Sequence, residues 1–401
     1  MDEEKTDPNL VIPTQLRGAA SSAETTKISA RVSIEAPANA PIVFNGLNGK
    51  MPELGALSTF MKDPTITEIM INDIRNVMVE REGKLVFSGL AIGNLEELNR
   101  LTRNILEVSG RVLTPEHPYI DLMLADGSRV NIITTPLTQG GPCITIRKFP
   151  TKRYSLDDLV GLEMLDKRTA YFLNACVVGK LNVLIAGGTN SGKTTLLNSL
   201  TQLVPKGERI IAIEDTPELV LAHANSVRLQ TKPQTPTSPA IQARELLANS
   251  LRMRPDRIIV GECRRGEAFD LLQAMNTGHG GSMATIHANS PRDALSRMET
   301  LCLLAATDLP LIAVRKQINS ALDLVVQVKR FRSGKRRVTG ITEITGVESE
   351  TITTQDIFLY ETDTRNAQSP DAGHFKCTGF VPTFLEKLAE NGVELPKNYF
   401  A

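Results

Sequence analysis

The first fifty residues show no sustained alternation of apolar and polar positions; Pro, Ala, Ser and Thr are in excess there, and Phe44 is the single aromatic. Such a stretch buries too little apolar surface to offset its ordering entropy, so residues 1–54 are expected to form a flexible tail. From Leu57 onward the texture changes. ITEIMI (66–71), NVMVERE and KLVF read as short strands, the last two joined through Glu82, Gly83 and Lys84 as a hairpin. Asn94 then caps a segment with Leu95, Leu98, Leu101, Ile105 and Leu106 at helical spacing, closed by Gly110. IDLML and RVNII flank Asp126-Gly127, a pair that accepts the positive φ angles of a tight turn, and CITIRKF supplies one more strand. Residues 55–150 therefore read as a compact α+β domain.

Residues 151–165 read as a linker leading into a helix at 167–178. Beyond it, strand and helix alternate: LNVLIAG, a helix from Thr194, RIIAIED, a helix near 240–252, RIIVGE, a helix over 267–277, and SMATIHA. Short, continuously apolar strands separated by helices predict an α/β domain over 166–401, its mainly parallel sheet covered on both faces.

Composition adds exclusions. With 45 Lys plus Arg against 45 Asp plus Glu, no global field draws the chain to nucleic acid or anionic lipid. No apolar run reaches the roughly 18 residues that span a bilayer, and the opening MDEEKTDPNL lacks the basic start and apolar core of a secretory signal, so a cytoplasmic protein is expected. The five cysteines are scattered, without a CxxC pair, and read as incidental thiols.

The chemistry concentrates in the second domain. Gly187, Gly188, Thr189, Asn190, Ser191, Gly192, Lys193 and Thr194 match G-x-x-x-x-G-K-[ST] directly after an apolar strand and directly before a helix, with Thr195 next in line. Glycines let backbone wrap close to phosphate, the helix N-terminus offers free N–H groups, Lys193 neutralises phosphate charge, and the Thr194 hydroxyl can ligate magnesium. ATP and magnesium are the expected ligands. Strand 210–213 ends in Glu214 and Asp215, strand 258–260 in Gly261 and Glu262, and the carboxyl ends of neighbouring parallel strands converge on one crevice. Glu214 and Glu262 can thus reach magnesium and an attacking water, whereas Asp215 reads equally as a cap on the next turn. His279 lies in a Gly-rich turn and His287 at a strand end; together they read as γ-phosphate sensors.

GGTNSGKTT, IEDTPEL, LRMRPDRIIVGE and TGHGGSMATIHANSP, in that order, resemble the Walker A, Asp box, Walker B and His box of the secretion (traffic) ATPases. The eight-residue step from His279 to His287 and the lack of a tetracysteine insert resemble the conjugation-type and CpaF/TadA tight-adherence branch. DLMLADGSRVNI, GPCITIRKF and the C-terminal GHFKCTGFVPTFLEKLAENGVELPKNYF are most similar to the tight-adherence group. The resemblance implies a RecA-like ATPase domain in which Glu214 polarises the attacking water, Glu262 holds magnesium through water, and Lys193 and Thr194 bind phosphate and metal. It also implies that Arg129 and Arg147, which alternate out of phase with Val130, Ile132, Ile144 and Ile146, reach over the nucleotide. Where the group has a single Arg before Gly266, this chain has Arg264 and Arg265, so both stay candidates to face the nucleotide.

A homohexameric ring, peripheral at the cytoplasmic face of the inner membrane and working with platform proteins there, follows from the same resemblance, with domain rotation about the linker as its stroke. The expected function is a motor for a tight-adherence pilus. The alternatives are a conjugation or type IV secretion ATPase, a nucleotide-gated scaffold, and a nucleic-acid translocase, the last disfavoured by zero net charge, no Trp and 4% aromatics. One charge run stands apart: Lys329, Arg330, Arg332, Lys335, Arg336 and Arg337 place six positive groups in nine residues, read as a solvated hairpin tip or as a membrane or partner contact.

Overall fold

The computed structural model describes residues 50–110, 112–149, 153–232, 234, 238–305, 308–362 and 371–401. The expected tail lies almost wholly outside the described residues. These divide into two compact units that part between 152 and 153.

The first unit is an antiparallel sheet of six strands: β1 (Ile66–Ile71), β2 (Val77–Arg81), β3 (Lys84–Phe87), β4 (Tyr119–Met123), β5 (Arg129–Ile133) and β6 (Cys143–Arg147), in the order β3-β2-β1-β6-β5-β4. Strict alternation along β1, β5 and β6 sends Ile69, Ile71, Val130, Ile132, Ile144 and Ile146 to one face. There they meet Leu98, Leu101 and Ile105 of helix Leu95–Ser109. Glu82 at φ 49 and Gly83 at φ 77 close the β2–β3 hairpin in the left-handed conformation its twist favours. The helix starts where the Asn94 side chain accepts from Glu97 N at 2.9 Å and stops at Gly110, φ 63. Asn94→Ala is expected to cost this unit about 1 kcal/mol. Hydrogen exchange over 95–109 reads that loss, and unchanged protection would show that solvent replaces the cap.

The second unit carries a nine-stranded sheet: β7 (Val183–Gly187), β8 (Ile210–Glu214), β9 (Ser226–Gln230), β10 (Arg257–Cys263), β11 (Met283–His287), β12 (Leu324–Arg330), β13 (Arg336–Glu348), β14 (Thr351–Thr362) and β15 (Gly373–Cys377). Their order is β15-β14-β13-β12-β7-β11-β10-β8-β9. From β12 through β9 every pairing is parallel; β13, β14 and β15 extend the sheet antiparallel.

Both faces of the central strands are buried, which is why they read as unbroken apolar runs. Val183 and Ile185 pack with helices Lys167–Val178 and Lys193–Thr201, while Leu184 and Ala186 pack with helices Ala243–Ser250, Glu267–Asn276, Pro291–Ala305 and Leu311–Ala321. The C-terminal segment closes the first of these faces: Phe172 lies within 5.2–6.3 Å, centroid to centroid, of Phe358, Phe384, Tyr399 and Phe400.

The stretch 151–165, expected as a linker, holds a helix, Leu156–Gly161, started by a Ser155/Asp158 capping box. Leu156, Leu159, Met164 and Leu165 are buried in the second unit's own core. Six residues between Ser155 and Leu162 are too few for a helical period to stand out, which is why the segment looked like a connection.

Candidate active site

The glycine-rich segment sits where β7 turns into helix Lys193–Thr201. Asn190 and Gly192 take positive φ angles, 58° and 99°, which wrap the backbone into a cradle. Gly187 is required by crowding: a Cβ there would stand 2.4 Å from Val328 O and 2.5 Å from Ser191 Oγ. Lys193, only 7% exposed, donates from Nζ to the carbonyls of Gly187 (3.0 Å) and Gly188 (2.8 Å), so its ammonium lies across the base of the loop. Thr194 and Thr195 occupy the first helical turn, half-buried, and Thr189 is exposed at the loop tip. The buried Ser191 Oγ has no hydrogen-bond partner. A cradle of backbone groups, an ammonium and an unsatisfied hydroxyl suits a polyphosphate.

Parallel register carries two acids to the same edge of the sheet. His287 pairs with Gly187, Ile286 with Cys263, and β8 runs beside β10, so Glu214, Glu262 and His287 all sit at carboxyl ends of strands near the cradle. Glu214 is 6% exposed, and its Oε1 accepts from Glu218 N and Leu219 N, both at 2.9 Å. Burial pushes its carboxyl up to about 7, against the two backbone donors and the half-buried Arg228 guanidinium, while neighbouring Glu218 adds to the rise. Gly261 makes room for it: a Cβ at that position would lie 2.9 Å from Glu214 Cγ. A carboxyl poised near neutrality and locked by backbone donors has the character of a general base.

Glu262 Oε2 accepts from Arg264 Nε at 2.6 Å, and Arg264 Nη1 lies 3.5 Å from Asp215 Oδ2. The Arg264 guanidinium thus bridges both acid boxes. His287 Nε2 stands 2.9 Å from Glu262 Oε1, yet no donor is aligned on that buried oxygen. Burial, then the positive charge of Lys193, hold the His287 imidazole below its ordinary value despite Glu262. The Thr194 hydroxyl and the unsatisfied Glu262 oxygen are hard donors of the kind magnesium takes.

Not every sequence candidate joins this cluster. His279 lies in the turn before β11, at the end of that strand where Met283 pairs with Val183, on the opposite edge of the sheet from the cradle. Its Nδ1 faces Ala274 O at 3.1 Å, and the turn is tied to Asn182 and Arg257. A strand of five residues separates it from His287, a distance that sequence proximity within one box concealed.

Arg129 and Arg147 pair across β5 and β6 in the first unit, on the sheet face opposite Val130 and Ile146, and Glu68 is the next partner of Arg147 across β1. Burial pushes the Glu68 carboxyl up against the pull of Arg147. Arg265 contributes its backbone N–H, which with that of Arg264 binds Glu267 Oε1 at the start of the following helix. Two further contributors carry no local sequence signal. Arg336, within the basic run, donates from Nε to Asn190 O at 2.9 Å, and Arg228 acts electrostatically on Glu214. Arg228 belongs to β9, whose mixed sequence SVRLQ gives no strand signal because it is the sheet's edge.

Residues 55–365 match the Type II/IV secretion system protein family. An uncharacterized Methanocaldococcus jannaschii protein is 40% identical over 240 residues, 58% of this chain but only 33% of that protein's length. The type IV secretion system protein VirB11 of Bartonella henselae is 33% identical over 331 residues, covering 73% of this chain and 92% of VirB11. The conjugal transfer protein TrbB of Rhizobium radiobacter is 33% identical over 316 residues, covering 78% and 94%. Among solved structures, the ADP-bound pilus retraction motor PilT shares the fold at a TM-score of 0.51 and 19% identity, over 85% of this chain and 88% of PilT. The match to 311 of 401 residues settles the affiliation: the chain belongs to the type II/IV secretion system protein family.

Proposed function

We propose that the protein is an ATP-hydrolysing motor of a conjugation or type IV secretion apparatus. One observation carries the reading: a phosphate-type loop at the end of β7 faces two acids, one of them held near neutrality, at the ends of neighbouring parallel strands. Named relatives from conjugal transfer and type IV secretion support this apparatus over the tight-adherence pilus expected from the sequence. The second unit is read as a RecA-like ATPase domain, supported by its parallel core and loop position.

In this reading Gly187 through Thr195 bind the polyphosphate of ATP, Lys193 neutralises it, and Glu214 orients and deprotonates the attacking water. Thr194 and Glu262 would hold magnesium, which when bound offsets the charge of the transferring phosphoryl group. Arg264 fixes the Glu262 carboxylate through Oε2, which leaves Oε1, beside the His287 ring, open for the metal. Arg129 and Arg147 are proposed to add positive charge to a nucleotide in an assembled ring, where a cation delivered from another domain or subunit is worth orders of magnitude in rate. Between Arg264 and Arg265, the former is favoured because it already engages both acid boxes. His279 is proposed to act away from the phosphate-binding edge of its own subunit. No helix among the described residues is long and apolar enough to cross a membrane. Peripheral attachment to an inner-membrane platform is the proposed location, with a homohexamer as the working form.

Steady-state phosphate release from ATP over a range of protein concentrations tests this. Specific activity that rises with concentration is the expected result, because a site completed between subunits works only in the ring. Release no faster than the uncatalysed background at every concentration, with and without membranes, would sink the motor reading in favour of the scaffold.

A further inference from the structure

The basic run 329–337 spans the hairpin from β12 to β13, and its charges are largely engaged by the protein itself. Arg337 is 6% exposed; it donates to Glu163 O at 2.6 Å and Glu163 Oε2 at 3.0 Å, and its guanidinium carbon lies 4.9 Å from the Tyr360 ring centre. Lys335 Nζ reaches the same carboxylate at 2.8 Å, and the two cations hold Glu163 below the ordinary carboxylate range. Val338 N donates to Met164 O at 2.8 Å. Main chain and side chains thus pin the start of β13 against residues 163 and 164.

Between these anchors Arg336 faces the other way, onto the phosphate-type loop. Its Nε donates to Asn190 O at 2.9 Å, and a Cβ built on Gly192 would meet Arg336 Cδ at 3.3 Å and Met164 Cε at 3.4 Å. Asn190 stands at φ 58, a left-handed conformation that asparagine tolerates better than most side chains. In a trans peptide the C=O and the N–H lie in one rigid plane and point in opposite directions, so fixing the Asn190 carbonyl fixes the direction of the Ser191 N–H. Loops of this kind bind anions by aiming successive backbone N–H groups into the cradle.

The geometry points to Arg336 as a positioning residue for phosphate binding, an assignment that rests on the nucleotide-binding reading above. The guanidinium, braced by the Arg337–Glu163–Lys335 cluster, holds the 190–191 peptide with the Ser191 N–H turned into the cradle before any ligand arrives. Nucleotide then binds a loop already ordered at that peptide.

Two readouts on the full chain test this: amide hydrogen exchange over 188–196 without nucleotide, and equilibrium binding of a fluorescent ATP analogue. Arg336→Ala, Arg336→Lys and Arg332→Ala are compared with the parent. A charged donor to a carbonyl is a strong hydrogen bond, so Arg336→Ala is expected to loosen the loop, to speed exchange at Leu196, whose N–H is bonded to Gly192 O, severalfold, and to weaken analogue binding about tenfold. Arg336→Lys, which keeps a charged donor, recovers part of both. Arg332→Ala removes an equal charge from the same hairpin and leaves both unchanged.

Parental exchange and affinity in Arg336→Ala would overturn the assignment. Equal weakening by Arg332→Ala would also overturn it, since the effect would then be the run's general field. If the parent binds no analogue, the proposed function fails, and exchange at Leu196 alone decides the role of Arg336.

Discussion

Glu214→Gln is expected to bind ATP within a few-fold of the parent and to lose hydrolysis by about 10²- to 10⁴-fold, the range a positioned general base supplies. The glutamine keeps an Oε1 where Glu218 N and Leu219 N donate to it, so the local backbone is preserved. Only the proton acceptor is removed. Because burial raises the parent carboxyl to about 7, the parent kcat should climb as pH passes through neutrality and level off above it. Residual turnover of the variant should lack that step.

Stability must move the opposite way from activity. The folded carboxyl binds its proton more tightly than the unfolded one, whose ordinary value is 4.5, so folding loses stability as pH rises from 4.5 to about 7. The loss is complete above that window and amounts to about 3 kcal/mol. Glu214→Gln, which cannot ionise, should therefore melt higher than the parent at pH 8 and close to it at pH 4.5. Phosphate release at the parental rate, with a parental pH profile, would remove Glu214 from the reaction.

How much of this site the sequence disclosed depends on whether the residues concerned act within one segment. The loop from Gly187 to Thr194 was legible because strand, turn and helix follow one another without interruption, and a five-residue apolar strand tells where its carboxyl end lies. The same logic placed Glu214, Glu262 and His287 on one edge. It misplaced His279, since proximity in a motif says nothing about which end of a strand a residue precedes. Arg336 stayed hidden for the converse reason: 146 residues separate it from Asn190, and a run of six cations looks alike whether solvated or engaged. The helix Leu156–Gly161 was missed because a single turn and a half has too few positions to display a period, although Ser155 and Asp158 carried its start signal.

Lys193→Ala should separate binding from chemistry in the other direction. Where Glu214→Gln keeps the nucleotide and stops turnover, loss of Lys193 should weaken ATP binding itself, with kcat/KM falling about 10³-fold, the scale of removing one preorganised charge-stabilising donor from a water-excluded site. Its Nζ spans the carbonyls of Gly187 and Gly188, and its stem is packed close enough that a Cβ on Gly187 would lie 3.3 Å from Lys193 Cγ. Lys193→Met, which keeps the stem and removes only the ammonium, should therefore lose activity as fully as the alanine variant while retaining more of the packing. Its melting temperature should stay closer to the parent's. Matched loss of affinity in the two variants would assign the effect to charge. Restored binding in the methionine variant would assign it to loop shape, leaving phosphate recognition to the backbone N–H groups and the helix N-terminus. Retained hydrolysis in both would mean that the measured ATPase activity arises elsewhere than in this loop.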